Sequence, residues 1–206
     1  MNKILITLLI ALLATPLFGQ KKADSTELIT IYDTDLLSAE FHSGRREALR
    51  AMMPDNSVAI FMANPVRNRS NDVNFEYHQD PNFYYFSGLN EPHAVLYVFK
   101  NPVKIDGKEV GEALFMQQRD PSKEVWDGRR YGTAGAMNLL KVDIAISNEE
   151  FHSKCPNLKD FEMVYVDLPK DDVRDNASDG GDLHSMKKKV ESQMESIGVK
   201  NVKGDL

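Results

Sequence analysis

The segment His93 to Phe99 (HAVLYVF) constrains the chain more than any other stretch, because it is apolar at nearly every position. A strand of that composition has no face to give to water. It belongs in the middle of a sheet, with further layers packed above and below it. Other short apolar runs supply its neighbours. Ser57 to Ala63 (SVAIFMA) reads as a strand, too short for a helix and closed by Asn64-Pro65. Phe83 to Ser87 reads as an aromatic strand ended by Gly88, and Met163 to Val166 as another strand. A turn at Asp106-Gly107 followed by an apolar run from Ala113 to Gln117 predicts a hairpin. Ile144 to Ile146 is a brief apolar segment.

Helical spacing occupies the ends of the chain. Phe41, Ala48, Leu49 and Met52 recur at near-helical intervals, with Ser43 as the expected N-cap and Pro54 as the stop. Residues 134–140 and 148–154 read as short helices. Leu183, Met186, Val190, Met194 and Ile197 recur at steps of three and four, which gives one apolar stripe. The run Lys187-Lys188-Lys189 then reads as a solvated face. Residues 64–80 and 171–182 are polar and read as loops. Strands interleaved with helices, one hairpin among them, predict an α/β fold around a mixed sheet flanked by helices.

The first nineteen residues stand apart from this pattern. Lys3 is followed by the apolar run Ile4 to Leu13, then by Pro16 and Gly19, the three-part layout of a secretory leader. The run falls short of the roughly 20 residues that a spanning helix needs. The expectation is cleavage near Gly19, export to a periplasmic or secreted location, and no membrane anchor afterwards. Residues 20–40 read as a linker, and 41–206 as one domain. Lys3 is the one charged residue of the leader, so of 25 Lys and Arg in the 206 residues the remainder keeps 24, against 31 Asp and Glu. That acidic balance argues against nucleic acid as a partner.

No catalytic constellation is legible. The five histidines, His42, His78, His93, His152 and His184, share no metal-ligand spacing, and HExxH is absent. Asp175, Asp179 and Gly180 match three positions of a calcium loop, but Ala177 and Met186 stand where oxygen ligands are needed. GxSxG, SxxK and GxGxxG are also missing. The single cysteine, Cys155, lies in a polar stretch before Pro156 and reads as an inert thiol. The expectation is therefore no catalytic residue and no metal or other cofactor within this chain.

Two segments are unusual. Asn68 to Pro92 (NRSNDVNFEYHQDPNFYYFSGLNEP) sets many aromatics, Tyr84 among them, beside Asp72, Glu76, Asp80 and Glu91. Arg119 to Gly132 (RDPSKEVWDGRRYG) gathers the only tryptophan, Trp126, with Arg119, Arg129 and Arg130 in what reads as a charged, glycine-containing loop. Aromatics flanked by arginine are common at interfaces, where rigid area meets bidentate hydrogen bonding.

These segments resemble the N-terminal domain shared by aminopeptidase P, prolidase and creatinase, most closely the aminopeptidase P version. The matching positions are Arg69-Ser70-x-Asp72, Tyr77-x-Gln79-Asp80, Phe83 through Pro92 with Ala94-Val95-Leu96 after it, Leu114-Phe115, Arg119-Asp120-Pro121, and Glu124-x-Trp126-Asp127-Gly128-x-Arg130-x-Gly132 with Ala136. His78 stands where the family usually has Arg or Lys, and Pro81 where it often has Ser. The resemblance implies a mixed sheet of roughly six strands, preceding a pita-bread catalytic domain that is absent here. In that domain two Mn2+ ions would activate the water that cleaves the bond before proline. The resemblance also implies roles in homo-oligomer assembly and in walling the pocket for proline-containing peptides, against the catalytic domain of the same or a neighbouring subunit. Asp72, Tyr84, Trp126, Arg129 and Arg130 are the substrate-pocket or interface candidates. By position Asp72 looks like a carboxylate of the pocket's polar network, and Trp126 like an aromatic reaching a neighbouring active site. A stand-alone binding module without peptidase activity and the N-terminal domain of a prolidase are the alternative readings.

Overall fold

The computed structural model describes residues 36–169 and 181–198. The expected leader, most of the expected linker, and the calcium-like positions Asp175, Ala177, Asp179 and Gly180 lie outside these residues. Helix α1 (Ala39–Met52) leads into strand β1 (Ser57–Met62), a small ribbon of β2 (Asn68–Ser70) and β3 (Val73–Asn74), and helix α2 (Pro81–Ser87). The hairpin β4 (Val95–Ile105) and β5 (Lys108–Met116) follows, then α3 (Pro121–Asp127), α4 (Gly132–Leu139), β6 (Ile144–Ser147), α5 (Phe151–Lys154), β7 (Met163–Asp167) and α6 (Leu183–Ser196).

The main sheet has five strands in the order β6-β5-β4-β1-β7, and β2 pairs with β3 separately. β4 runs antiparallel to β1 and β5, whereas β5–β6 and β1–β7 are parallel pairs. The apolar run His93–Phe99 supplies the centre of this sheet, and its period-two alternation divides the core. Val95, Tyr97 and Phe99 join Val58 and Ile60 under Leu183, Met186, Val190 and Met194 of α6. Leu96 and Val98 join Ala59 and Phe61 on the other face, under Leu49 of α1, Phe83 of α2 and Ala136 of α4. Tyr97 and Phe99 expose none of their surface, and full burial of a phenylalanine side chain stabilises by roughly 1.5–3 kcal/mol.

Several local expectations change. Phe83 to Ser87 is helical because local capping overrides the strand preference of its aromatics. Asp80 accepts from the Phe83 amide at 2.8 Å, Pro81 occupies the first turn, and Gly88 closes the helix at φ 72°. A Cβ on Gly88 would sit 2.7 Å from the His42 ring. With that segment outside the sheet, five strands are present among the described residues, against the roughly six that the resemblance implies. The expected loop 64–80 contains the β2–β3 ribbon. The cap of α1 is Ser38, five residues before the expected Ser43, and accepts from the Phe41 amide. Lys187 is not solvated. It falls on the apolar stripe of α6, one turn after Leu183, so its stem is buried and its ammonium lies 3.6 Å from Glu191; of the run, Lys188 alone is exposed.

Arg46 pins the helices of one face to the sheet. It exposes none of its surface. Its guanidinium donates to Glu112 Oε1 of β5 at 3.0 Å and to the carbonyls of Phe86, Leu140 and Lys141 at 2.9, 3.3 and 2.7 Å. Glu112 is also paired with Arg50.

Candidate functional site

Strands β1, β5, β6 and β7 point the same way, so their carboxyl ends open on one edge of the sheet. Ligand-facing loops of open α/β sheets gather at such edges. The β2–β3 ribbon leaves from β1, and α3 leaves from β5, so topology brings both unusual segments to this edge. Asp72 sits at the exposed tip of the ribbon, next to Asn71 at φ 49°. The ribbon is too short to be held by its own ladder. Asn68 braces it by donating to the carbonyls of Asn71 and Val73 at 2.8 and 3.2 Å. Arg69 lies 6.0 Å from the centre of the Phe75 ring. A groove of about 360 Å³ at its base is lined by Asn64, Arg67, Phe75, Tyr77 and His78.

Trp126 lies on a helix, correcting the expected loop. Asp120 accepts from the Ser122 and Lys123 amides, Pro121 begins the first turn, and Gly128 ends the helix. Arg119 donates to both oxygens of Glu124, at 3.1 and 2.8 Å, a bidentate brace along the side of the turn. No residue of α3 is buried. Trp126 is 87% exposed, and Val125 beside it is also exposed. So large an aromatic held in water on a braced helix is the composition of an interface anchor rather than of core. Arg129 is exposed as well, but Arg130 turns inward: only 12% of its side chain is accessible, and it lies 3.3 Å from Asp127. Tyr84 is half-buried on α2, and its described ring contact is edge-on to His42 of α1 at 5.3 Å. That contact points to the helix layer, not to α3.

Sequence reasoning set Glu91 among four acids without singling it out. In the fold it is buried, between Leu89 and the start of β4. Its Oε1 accepts the Tyr131 amide at 2.7 Å, while Oε2 is buried without a hydrogen-bond partner among the described residues. Burial pushes its carboxyl up to about 7, opposed by the Tyr131 amide and by Arg130, and reinforced by Glu124. Gln79 holds the same loop from the other side. It donates to the carbonyls of Leu89 and Glu91 at 3.1 and 2.9 Å and accepts from the Asn64 amide at the exit of β1. The signal for Glu91 is three-dimensional, since its partner lies 40 residues away.

The remaining candidates serve the scaffold. His42 is buried and donates to the Tyr85 carbonyl at 2.9 Å, His93 accepts the Leu183 amide at 3.1 Å, and His152 bonds Ser185. Burial raises the Cys155 thiol, which disfavours the reactive thiolate. Among the described residues no three His, Cys, Asp or Glu side chains come together in a way that could hold a metal ion.

The family model for the aminopeptidase P N-terminal domain matches residues 42–165. Xaa-Pro aminopeptidase 3 of Homo sapiens is 39% identical over 127 residues, which cover 60% of this chain and 24% of that protein. The Escherichia coli Xaa-Pro aminopeptidase is 35% identical over 130 residues, 63% of this chain and 29% of that protein. Among solved structures, Pseudomonas aeruginosa aminopeptidase PepP superposes with a TM-score of 0.61 at 29% identity, over 79% of this chain and 33% of that one. Escherichia coli aminopeptidase P with the inhibitor Pro-Leu superposes at 0.58 with 30% identity, over 78% of this chain and 34% of that one. The chain thus spans about a quarter to a third of the length of these relatives. With the family model covering more than half of its residues, the chain belongs to the aminopeptidase P N-terminal domain family.

Proposed function

We propose that this chain is the non-catalytic N-terminal domain of an exported Xaa-Pro aminopeptidase, and that it serves assembly and the shaping of the substrate pocket. The observation that carries this reading is the exposure of Trp126 on a helix whose cap and brace hold it rigid, at the edge of the sheet where the β2–β3 ribbon and Asp72 also emerge. A rigid aromatic presents contact area at little entropic cost. Arg129 beside it supplies a donor fork suited to carboxylates. Cleavage of the bond before proline, with its two manganese ions, is assigned to the part of the parent enzyme outside this chain. The partner of the Trp126 surface is then the catalytic domain of its own or a neighbouring subunit in a homo-oligomer. The leader reading at residues 1–19 supports export, and mass spectrometry of the secreted protein should find an N-terminus near Gln20; an intact Met1 on exported material would refute it.

The test is Trp126→Ala in the complete enzyme. Turnover of proline-containing peptides longer than a dipeptide should weaken, through a higher KM, or the oligomer should dissociate on size exclusion with light scattering. Unchanged kinetics together with unchanged assembly would remove the role. This chain alone should not hydrolyse an Ala-Pro peptide with added manganese, and chelator-sensitive turnover by pure material would overturn the division of labour.

A further inference from the structure

We infer that Glu91 is a positioning residue for the Trp126 surface, acting as a latch on the turn that joins α3 to α4. Helix α4 has Tyr131 at its N-cap position and no side-chain cap of its own. The Glu91 carboxylate supplies the missing acceptor from another part of the chain, 2.7 Å from the Tyr131 amide. An anion is favoured at that end of a helix. The latch is anchored on its far side, because Gln79 fastens the Glu91 carbonyl to the exit of β1. Since α3 buries none of its own residues, it depends on such tethers to hold its direction. Gly132 makes the turn a tight one: it sits at φ 63°, and a Cβ there would meet Arg119 Cγ at 2.6 Å. Arg119 in turn braces Glu124 within α3.

The latch is linked to protons. The groups acting on Glu91 are the Tyr131 amide, Arg130 and Glu124, and the Tyr77 phenol feels its charge from the other side. With one oxygen bonded and the other buried without a described partner, ionisation is delayed to about 7. A charged acceptor makes a hydrogen bond about twice as strong as a neutral one. The Tyr131 amide is therefore held firmly above that pH and more loosely below it.

NMR on this chain tests the latch directly. The Tyr131 amide should titrate with a midpoint near 7, and the Trp126 indole N–H should follow with the same midpoint. Glu91→Gln keeps an acceptor of the same shape and should abolish both titrations while leaving the fold intact. A Tyr131 amide that does not move between pH 5 and 9 would overturn the inference. So would a Tyr131 titration that the Trp126 indole does not share. A kinetic arm rests on the function proposed above. In the complete enzyme Glu91→Ala should reproduce the KM defect of Trp126→Ala, the double variant should be no worse than either, and Glu91→Gln should restore KM but flatten its pH profile. If Trp126→Ala has no kinetic effect while the paired titration is present, the pocket role fails and the latch stands. If Trp126→Ala acts but the titration is missing, the latch fails and the pocket role stands.

Discussion

Glu112 and Glu91 are buried to nearly the same degree, 5% and 7% exposed, yet they do opposite things. Glu112 lies on β5 under the helix layer, and each of its oxygens meets an arginine, Arg46 and Arg50. The remaining donors of Arg46 go to three carbonyls. Glu91 lies in the loop before β4, with one oxygen bonded and the other lacking a described partner. Burial alone therefore does not decide what a carboxylate is for. A fully matched anion locks elements together, while a half-matched one stays close to changing its charge. The first kind holds the scaffold, and the second sits at the edge from which the β2–β3 ribbon and α3 emerge.

The sharpest way to break this contrast is at the matched site. Glu112→Ala leaves the Arg46 guanidinium buried without its counter-charge, and removing one partner of a buried pair typically costs about 3–5 kcal/mol. The urea midpoint should fall by a large fraction of the total stability with little change in slope. A loss under about 1 kcal/mol would mean that water replaces the carboxylate and that Glu112 is no lock.

At the half-matched site the expected effect depends on pH. The folded state raises the Glu91 carboxyl from the ordinary value near 4.5 to about 7. Between those values the native protein binds more protons than the unfolded chain, so stability falls as pH rises through this window. Its contribution is fully present below the lower value and lost above the upper one. The size is on the order of 3–4 kcal/mol for a shift of this extent. Wild-type protein minus Glu91→Gln should show this slope in denaturant midpoints from pH 4 to 8. Parallel pH profiles for the two proteins would show that Glu91 does not feel its burial.

Much of the scaffold is legible in the chain because its causes are local. The apolar run at His93–Phe99 is the centre of the sheet, the Asp106-Gly107 turn closes the hairpin, and the stripe from Leu183 to Met194 covers one face. The misreadings come from competition between local signals. At Phe83–Ser87 the aromatic preference for strands competes with an Asp-Pro start and a glycine stop, and the caps win. The same Asp-Pro start at Asp120-Pro121 and glycine stop at Gly128 mark α3, where charge and glycine content suggested a loop. Trp126 and Arg129 stood out by composition, and both are exposed. Arg130, adjacent to them, turns inward, and Tyr84 packs toward α1. Glu91 was not legible at all, since its meaning depends on an amide that folding brings from 40 residues away.

The smallest effect should appear at the cap with which the helix carrying Trp126 holds its own first turn. Asp120 caps α3 by accepting from the Ser122 and Lys123 amides at 3.0 and 3.4 Å and from the Ser122 hydroxyl at 2.6 Å. Because no residue of the helix is fully buried, removing the cap should loosen α3 without unfolding the domain. Asp120→Ala should speed hydrogen exchange at those two amides and lower the fluorescence anisotropy of Trp126, the only tryptophan. The urea midpoint should stay close to that of the parent. Asp120→Asn keeps an acceptor and should restore protection. The Ser122 hydroxyl holds the Asp120 carboxyl below its ordinary value, so the cap is ionised at pH 5 and above. Its contribution is lost only as the solution becomes more acidic than that. The effect of Asp120→Ala should therefore be flat from pH 5 to 8, the window in which Glu91 titrates. If Asp120→Ala instead lowered the global midpoint as far as Glu112→Ala, α3 would be part of the cooperative core, and the distinction between a locked scaffold and an adjustable edge would not hold.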